Sequence, residues 1–319
     1  MMNTSEYKTH PMLQKLAWTA LAWNVLVILW GAVVRATGSG AGCGNRWPLC
    51  NGQVIPTSPR LATIIEFTHR CMTGGATVLV LAVLIGVFMA TTKGHRARAA
   101  AVITTILLLN EALLGAVLVK LGYVTTNRSL GRVIVLSIHL SNTLLLMAAL
   151  AVTAALLERG EPRPRIMADK LTCWGIAAAL LSTIVVGVSG SLAALGDTLF
   201  PAATLAQAMA QDFSAHAPWL LRLRWVHPAA ACVAAGFVVL LILAAWTGGR
   251  PAAGLLVAAL MALQFVLGVA DVLLLAPVWM QIVHLLGADL YWISLVLLSL
   301  ALLLGKPPDP VSASSPIAG

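Results

Sequence analysis

The 319-residue chain is 60% hydrophobic and 10% charged, with a formal net charge of +9 and a mean hydropathy of +0.92. Soluble domains carry about 25% charged residues, so this composition excludes a soluble globular protein. The basic surplus sits in short segments between apolar runs, not along a basic stripe, which argues against a nucleic-acid partner.

Apolar runs of about 20 residues, enough to cross a hydrocarbon core, recur along the whole chain. Backbone polar groups in lipid must be satisfied internally, and these runs lack the alternation of barrel strands. They are therefore predicted to be helices, lying near residues 14–36, 63–91, 99–120, 132–157, 171–193, 224–246, 252–275 and 280–304. The segment from Met1 to Pro11 is polar, contains Glu6 and lacks the pattern of a mitochondrial transit peptide. Gly-Ser-Gly, not a cleavage site, follows the first run, so a retained helix is expected. The Pro/Ser-rich tail from about residue 306, beginning at Lys306, is expected to be disordered. The expected fold is all-α, eight transmembrane helices forming two tandem four-helix bundles. A bacterial cytoplasmic membrane is the simplest home.

With the N-terminus in the cytoplasm, 11 basic residues fall on the inner side and 9 on the outer, and Lys93, Arg96 and Arg98 crowd one inner loop. The outer side then holds Arg35, Arg46, Arg60, Arg70, Lys120, Arg128, Arg132, Arg222 and Arg224.

An internal repeat organises the chain. Glu66-Phe-Thr-His69 opens span 2, and Arg224-Trp-Val-His227 opens span 6. His139 and His284 lie early in spans 4 and 8, followed in both cases by Leu. Glu111-Ala-Leu-Leu-Gly115 in span 3 matches Gln264-Phe-Val-Leu-Gly268 in span 7. The ends of spans 1 and 5, Gly31 to Arg35 and Val186 to Gly190, correspond at about 156 residues; the other offsets are 158, 145 and 153. The predicted units are residues 1–160 and 161–319. Each has an even number of spans, so both share one orientation, and their pseudo-twofold axis is predicted to run along the membrane normal.

His69, His139, His227 and His284 all lie near the starts of even spans and so share one depth near the outer face. Two imidazoles on facing helices hold a haem by filling both axial positions of its iron. Alone, each histidine reads as well as a packed, hydrogen-bonded side chain; four at repeat-related positions favour a shared ligand. Zinc fits less well, because no site offers three close protein ligands. His10, His95 and His216 are expected to meet water.

Glu66 stands one helical turn before His69 and faces the same way, where a carboxylate serves proton relay or substrate positioning. An ion pair with Arg70 is the plainer reading. The repeat partner of Glu66 is Arg224, so the two sites are chemically unequal. The outer arginines, Arg70 and Arg224 among them, lie at the level of haem propionates, although interfacial snorkelling explains them equally. Cys43 and Cys50 bracket a turn-rich outer loop suited to a disulfide, structural or redox-active. Cys71, Cys173 and Cys232 read as small packed hydrophobes. Glu111 and Asp271 are ionisable groups at lipid depth, either relaying protons or merely buried and hydrogen-bonded.

Assembled, these residues resemble the haem A synthase family over almost the whole chain. The resemblance rests on Gly31-Ala-Val-Val-Arg35, Thr37-Gly-Ser-Gly40, Cys43 to Cys50 with Trp47-Pro48, Asn51-Gly52 and Glu66-Phe-Thr-His69-Arg70. It continues through Leu114-Gly115, His139-Leu140, Gly196-Asp-Thr-Leu-Phe-Pro201, His227-Pro228 and His284-Leu285. It implies a membrane oxidoreductase that hydroxylates the C8 methyl group of haem O twice, giving the formyl group of haem A for terminal oxidases. It further implies haem b on His227 and His284, with Arg70 and Arg224 assisting. Substrate haem would then sit at His69 and His139, beside Glu66. Haem O synthase and an electron donor, which the sequence does not identify, are the implied partners beside membrane lipid; homo-oligomer formation is left open. Some relatives carry a second outer-loop cysteine pair, but residues 191–223 here contain none. A bis-histidine di-haem electron carrier is the rival reading. A secondary transporter fits poorly, since Gly and Pro lie mainly at span ends.

Overall fold

The computed structural model describes residues 10–160 and 164–304. The expectations for Glu6, Lys8, Arg163 and the tail from Lys306 lie outside the described residues. Ten α-helices follow in order: α1 (Pro11–Ala36), α2 (Leu61–Ala90), α3 (Arg96–Lys120), α4 (Leu130–Arg159) and α5 (Lys170–Leu199), then α6 (Leu205–Asp212), α7 (Trp219–Arg222), α8 (Val226–Thr247), α9 (Pro251–Leu273) and α10 (Val278–Leu304). α7, a short turn and α8 run on as a single span, so among the described residues eight helices are long and apolar enough to cross a membrane. The chain is an all-α, multi-pass membrane protein.

Local chemistry explains the helix starts. Pro11 and Pro251 open α1 and α9, where a missing N–H costs nothing. Ser129, Asp169 and Thr204 accept the amides of Arg132, Thr172 and Gln207, capping α4, α5 and α6. His95 departs from the expectation of a solvated side chain. It is buried, and its Nδ1 caps α3 by accepting the Ala97 amide at 3.1 Å. Burial and the nearby Arg98 cation hold its pKa below the usual 6.5, which keeps Nδ1 free to accept. α5 also runs six residues past its predicted end at 193. Arg35 donates to Ala194 O and Thr198 Oγ1, and Arg224 pairs with Asp197, which supports the Gly196-containing last turn.

α1 packs on α2 and α4, and α3 lies between α2 and α4. Likewise α5 packs on α8 and α10, and α9 lies between α8 and α10. α4 and α1 meet α5 and α10 across the middle, where Trp292 Nε1 donates to Leu144 O at 2.8 Å. Lipid offers no hydrophobic drive between helices, so association depends on close packing and interhelical hydrogen bonds. Ala17, Ala20, Ala76, Ala151 and Ala154 are accordingly sealed in the core, while Ile85, Phe88, Leu243 and Leu255 are exposed. Cys71 and Cys232 depart from the expected packing and are exposed, which an apolar thiol tolerates.

Candidate functional site

Alternating helix direction starts α2, α4, α8 and α10 at one end of the molecule. Each key histidine lies about two turns in from that end, counting His227 from Trp219. α1 fixes the helix carrying His69: Trp30 Nε1 donates to Ile65 O at 3.0 Å and Trp23 Nε1 to Met72 O at 2.9 Å, bracketing the histidine. On α4, His139 Nδ1 stands 3.3 Å from Glu111 Oε1, without in-line hydrogen-bond geometry.

His227 and His284 face one another with ring centroids 6.4 Å apart and planes at 83°. Two imidazoles bonded to one metal at about 2 Å put their ring centres roughly 6 Å apart, so this spacing fits the axial ligands of a haem iron. His227 Nδ1 lies 3.1 Å from Val186 O, which only accepts. The proton is therefore on Nδ1, and Nε2 is left as a metal ligand. The Nδ1 atoms of His69 and His284 are buried without a hydrogen-bond partner.

Three of the four imidazoles have a glycine on a neighbouring helix. A Cβ on Gly31 would lie 3.3 Å from His69 Cε1, one on Gly190 2.8 Å from His227 Cε1, and one on Gly268 3.5 Å from His284 Cε1. Gly115, the repeat partner of Gly268, meets open space instead. Three glycines thus give room to rings, and the fourth leaves the N-terminal site wider. The pairing also corrects the alignment of spans 1 and 5. Gly31 corresponds in space to Gly190, an offset of 159, not to Gly187, whose Cβ would meet Leu144.

Loops are pinned over the histidines by the groups one turn ahead of His69 and His227. Glu66, 3% exposed, accepts the Cys43 amide at 2.7 Å through Oε2 and pairs with Arg70 Nη2 at 2.6 Å through Oε1. Arg70 also donates to Pro48 O and Leu49 O, and a disulfide joins Cys43 to Cys50. Thr63 Oγ1 donates to Gly42 O at 2.8 Å, and a Cβ on Gly42 would strike the Ala62 backbone, so glycine is required at this approach. In the other half Arg224 lies 3.0 Å from both Asp197 and Asp212 and donates to Phe200 O at 3.1 Å. Both Arg70 and Arg224 therefore clamp loops at the histidine end, with protein oxygens beside their guanidinium groups.

Arg35 crosses between halves, donating to Ala194 O, Thr198 Oγ1 and Gln281 Oε1. Arg132 donates to Thr125 O and Asn127 O, Arg222 to Ala215 O, and Arg128 stacks over the Phe200 ring at 4.5 Å. Asp271 is partly buried, with Oδ1 lacking a partner. Sequence reasoning missed Asp289, a 4%-exposed carboxylate five residues after His284 whose Oδ2 lacks a hydrogen-bond partner. An acidic residue inside an apolar span was the available signal. His216 is exposed.

A family model described as "Cytochrome oxidase assembly protein" matches residues 14–296. A Thermus thermophilus protein named protoheme IX farnesyltransferase is 43% identical over 289 residues, covering 89% of this chain and 47% of that protein. Proteins named heme A synthase are 30% identical over 174 residues in an Exiguobacterium species and 32% identical over 166 residues in Bacillus cereus. Those matches cover 54% and 51% of this chain, and 55% and 51% of the relatives. The chain spans about half the length of the curated relatives it matches.

Proposed function

Because the chain belongs to the cytochrome oxidase assembly protein family, we propose that it is a haem A synthase of a bacterial cytoplasmic membrane, with its histidine end outward. The observation that carries the reading is two pairs of histidines at one end of a membrane protein, three of the four rings lying against a glycine and the C-terminal pair spaced for one iron.

Residues 1–160 form the substrate half and residues 161–319 the cofactor half of this proposal. Haem O sits between His69 and His139, where the open space at Gly115 gives the farnesylated porphyrin room. Its C8 methyl group is hydroxylated twice, each step taking dioxygen as oxidant and two electrons from the donor and releasing one water, and the resulting geminal diol loses water to leave the formyl group. Glu66 lies at the reacting edge, held in place by Arg70 and the Cys43 amide. His227 and His284 hold haem b, which supplies one-electron chemistry when bound. The Val186 carbonyl orients the first imidazole, and the loops pinned by Arg70 and Arg224 restrict water at that end. The Thermus relative is named for farnesyl transfer to protohaem, the class of reaction that supplies this substrate. An enzyme of that class is the proposed partner, together with an electron donor.

Expression in a host that makes haem O but no haem A tests the reading. Extractable haem A is the expected product. Abundant protein with only haems B and O in the extract contradicts it, and protein purified from that haem O-making host with haem B already in both sites would assign a di-haem electron carrier instead. New haem O in a host lacking farnesylation would assign prenyl transfer.

A further inference from the structure

Glu111 lies well inside α3, apart from the clamps formed by Glu66, Arg70 and Arg224. Its Oε1 stands 3.3 Å from His139 Nδ1. Asn142 Nδ2 donates to Oε2 at 2.6 Å, and the Thr143 hydroxyl donates to Oε1. These two donors follow His139 by three and four residues, so one face of α4 carries the imidazole and both groups that hold its carboxylate neighbour.

The second half lacks this arrangement entirely. Gln264 stands for Glu111 at an offset of 153, and Gly287 and Ala288 stand for Asn142 and Thr143 at 145, the offset that relates His139 to His284. The Gln264 amide lies against Gly287, its Nε2 buried with no hydrogen-bond partner. The Nδ1 atoms of His139 and His284 both lack a hydrogen bond, but among the described residues only that of His139 has a carboxylate within 4 Å. A carboxylate and both of its holders are thus absent together from the copy whose imidazoles are already spaced for one iron.

We propose that Glu111 is a positioning residue of the N-terminal site: with a haem bound, a small turn of the His139 ring brings its Nδ1–H, 3.3 Å from Oε1 but out of line in this structure, onto the carboxylate, which fixes the ring with Nε2 toward the iron. The inference rests on the reading that His69 and His139 ligate a haem. A carboxylate behind a ligating histidine sets its tautomer and raises its basicity. A more basic axial ligand stabilises the oxidised iron, so the N-terminal site holds its haem at a lower reduction potential than the same site with an amide. His284 has no such neighbour.

The test uses the full chain loaded with iron protoporphyrin IX and titrated electrochemically while absorbance is followed. Two haem components are expected, and the one that disappears in His139→Ala belongs to the N-terminal site. Glu111→Gln is expected to keep both haems and to move only that component upward in potential. An unmoved N-terminal component in a fully loaded Glu111→Gln protein overturns the positioning role while leaving the haem sites intact. A protein that takes up no haem, or whose two components survive His139→Ala, overturns the haem-site reading and this inference with it. If Glu111→Gln does not fold, the reverse change decides. Gln264→Glu with Gly287→Asn and Ala288→Thr is expected to lower the C-terminal component, and no shift there rejects the proposal.

Discussion

In the N-terminal half a carboxylate one turn before the first histidine takes the amide of Cys43 and the guanidinium of Arg70. In the C-terminal half the same position carries Arg224, which takes Asp197, Asp212 and the Phe200 carbonyl. The charge is inverted, yet each group pins a loop above a histidine pair. Behind the second histidine the halves diverge again, with Glu111 held by Asn142 and Thr143 on one side and an unpartnered Gln264 amide on the other. The two halves therefore keep histidines at matching places while the charge around them differs site by site, a difference that agrees with the proposed division between substrate and cofactor.

Removing the clamps separates the halves most strongly. Arg70→Ala leaves Glu66 buried with only the Cys43 amide, and an uncompensated buried charge costs about 3–5 kcal/mol. Arg224→Ala strips the cation from Asp197, 31% exposed and able to reach water, and from Asp212, 12% exposed; because neither carboxylate is sealed as Glu66 is, a loss of about 1–3 kcal/mol is expected. Thermal unfolding of the two variants measures the difference, and equal losses would erase it. Next in size come the glycines. Gly190→Ala places a Cβ 2.8 Å from the His227 ring, an overpacking cost of about 1–3 kcal/mol with reduced haem content. Gly115→Ala enters open space and, inside a helix, is expected to gain up to ~1 kcal/mol. Destabilisation of both would show that the N-terminal site is not the wider one.

The smallest effect lies at the opposite end of the molecule and serves as a control. Because burial holds the His95 pKa below 6.5 in the folded protein, the unfolded chain takes up the proton first as pH falls. Its contribution is thus complete above about pH 6.5 and lost as pH drops through the folded value. His95→Ala is expected to cost about 1 kcal/mol at neutral pH, the size of a lost cap, and to flatten the pH dependence of the melting temperature below 6.5. Haem content should not respond.

Much of this organisation was legible in the residues themselves. Span number follows from apolar length, and the four histidines announced themselves by recurring at repeat-related positions. Contacts between distant segments were not legible. Glu66 meets a loop amide 23 residues away, and Glu111 meets donors 31 and 32 residues away, separations that no helical period encodes. His95 was assigned to water because a loop histidine has no periodic signal, although its side chain closes a helix. Apolar length alone ends the fifth span at 193, whereas α5 continues to Leu199, where Arg35 and Arg224 bind its last turns. Asp289 was visible as an acid in an apolar span and was passed over in favour of Glu111 and Asp271.

Haem content of the purified chain, measured as iron porphyrin per polypeptide, tests the central claim most directly when wild type is compared with His139→Ala and His284→Ala. Two porphyrins per chain are predicted for the wild type, with each substitution removing one and leaving the other. A colourless protein after exposure to haem, or a content unchanged by both substitutions, would contradict the account.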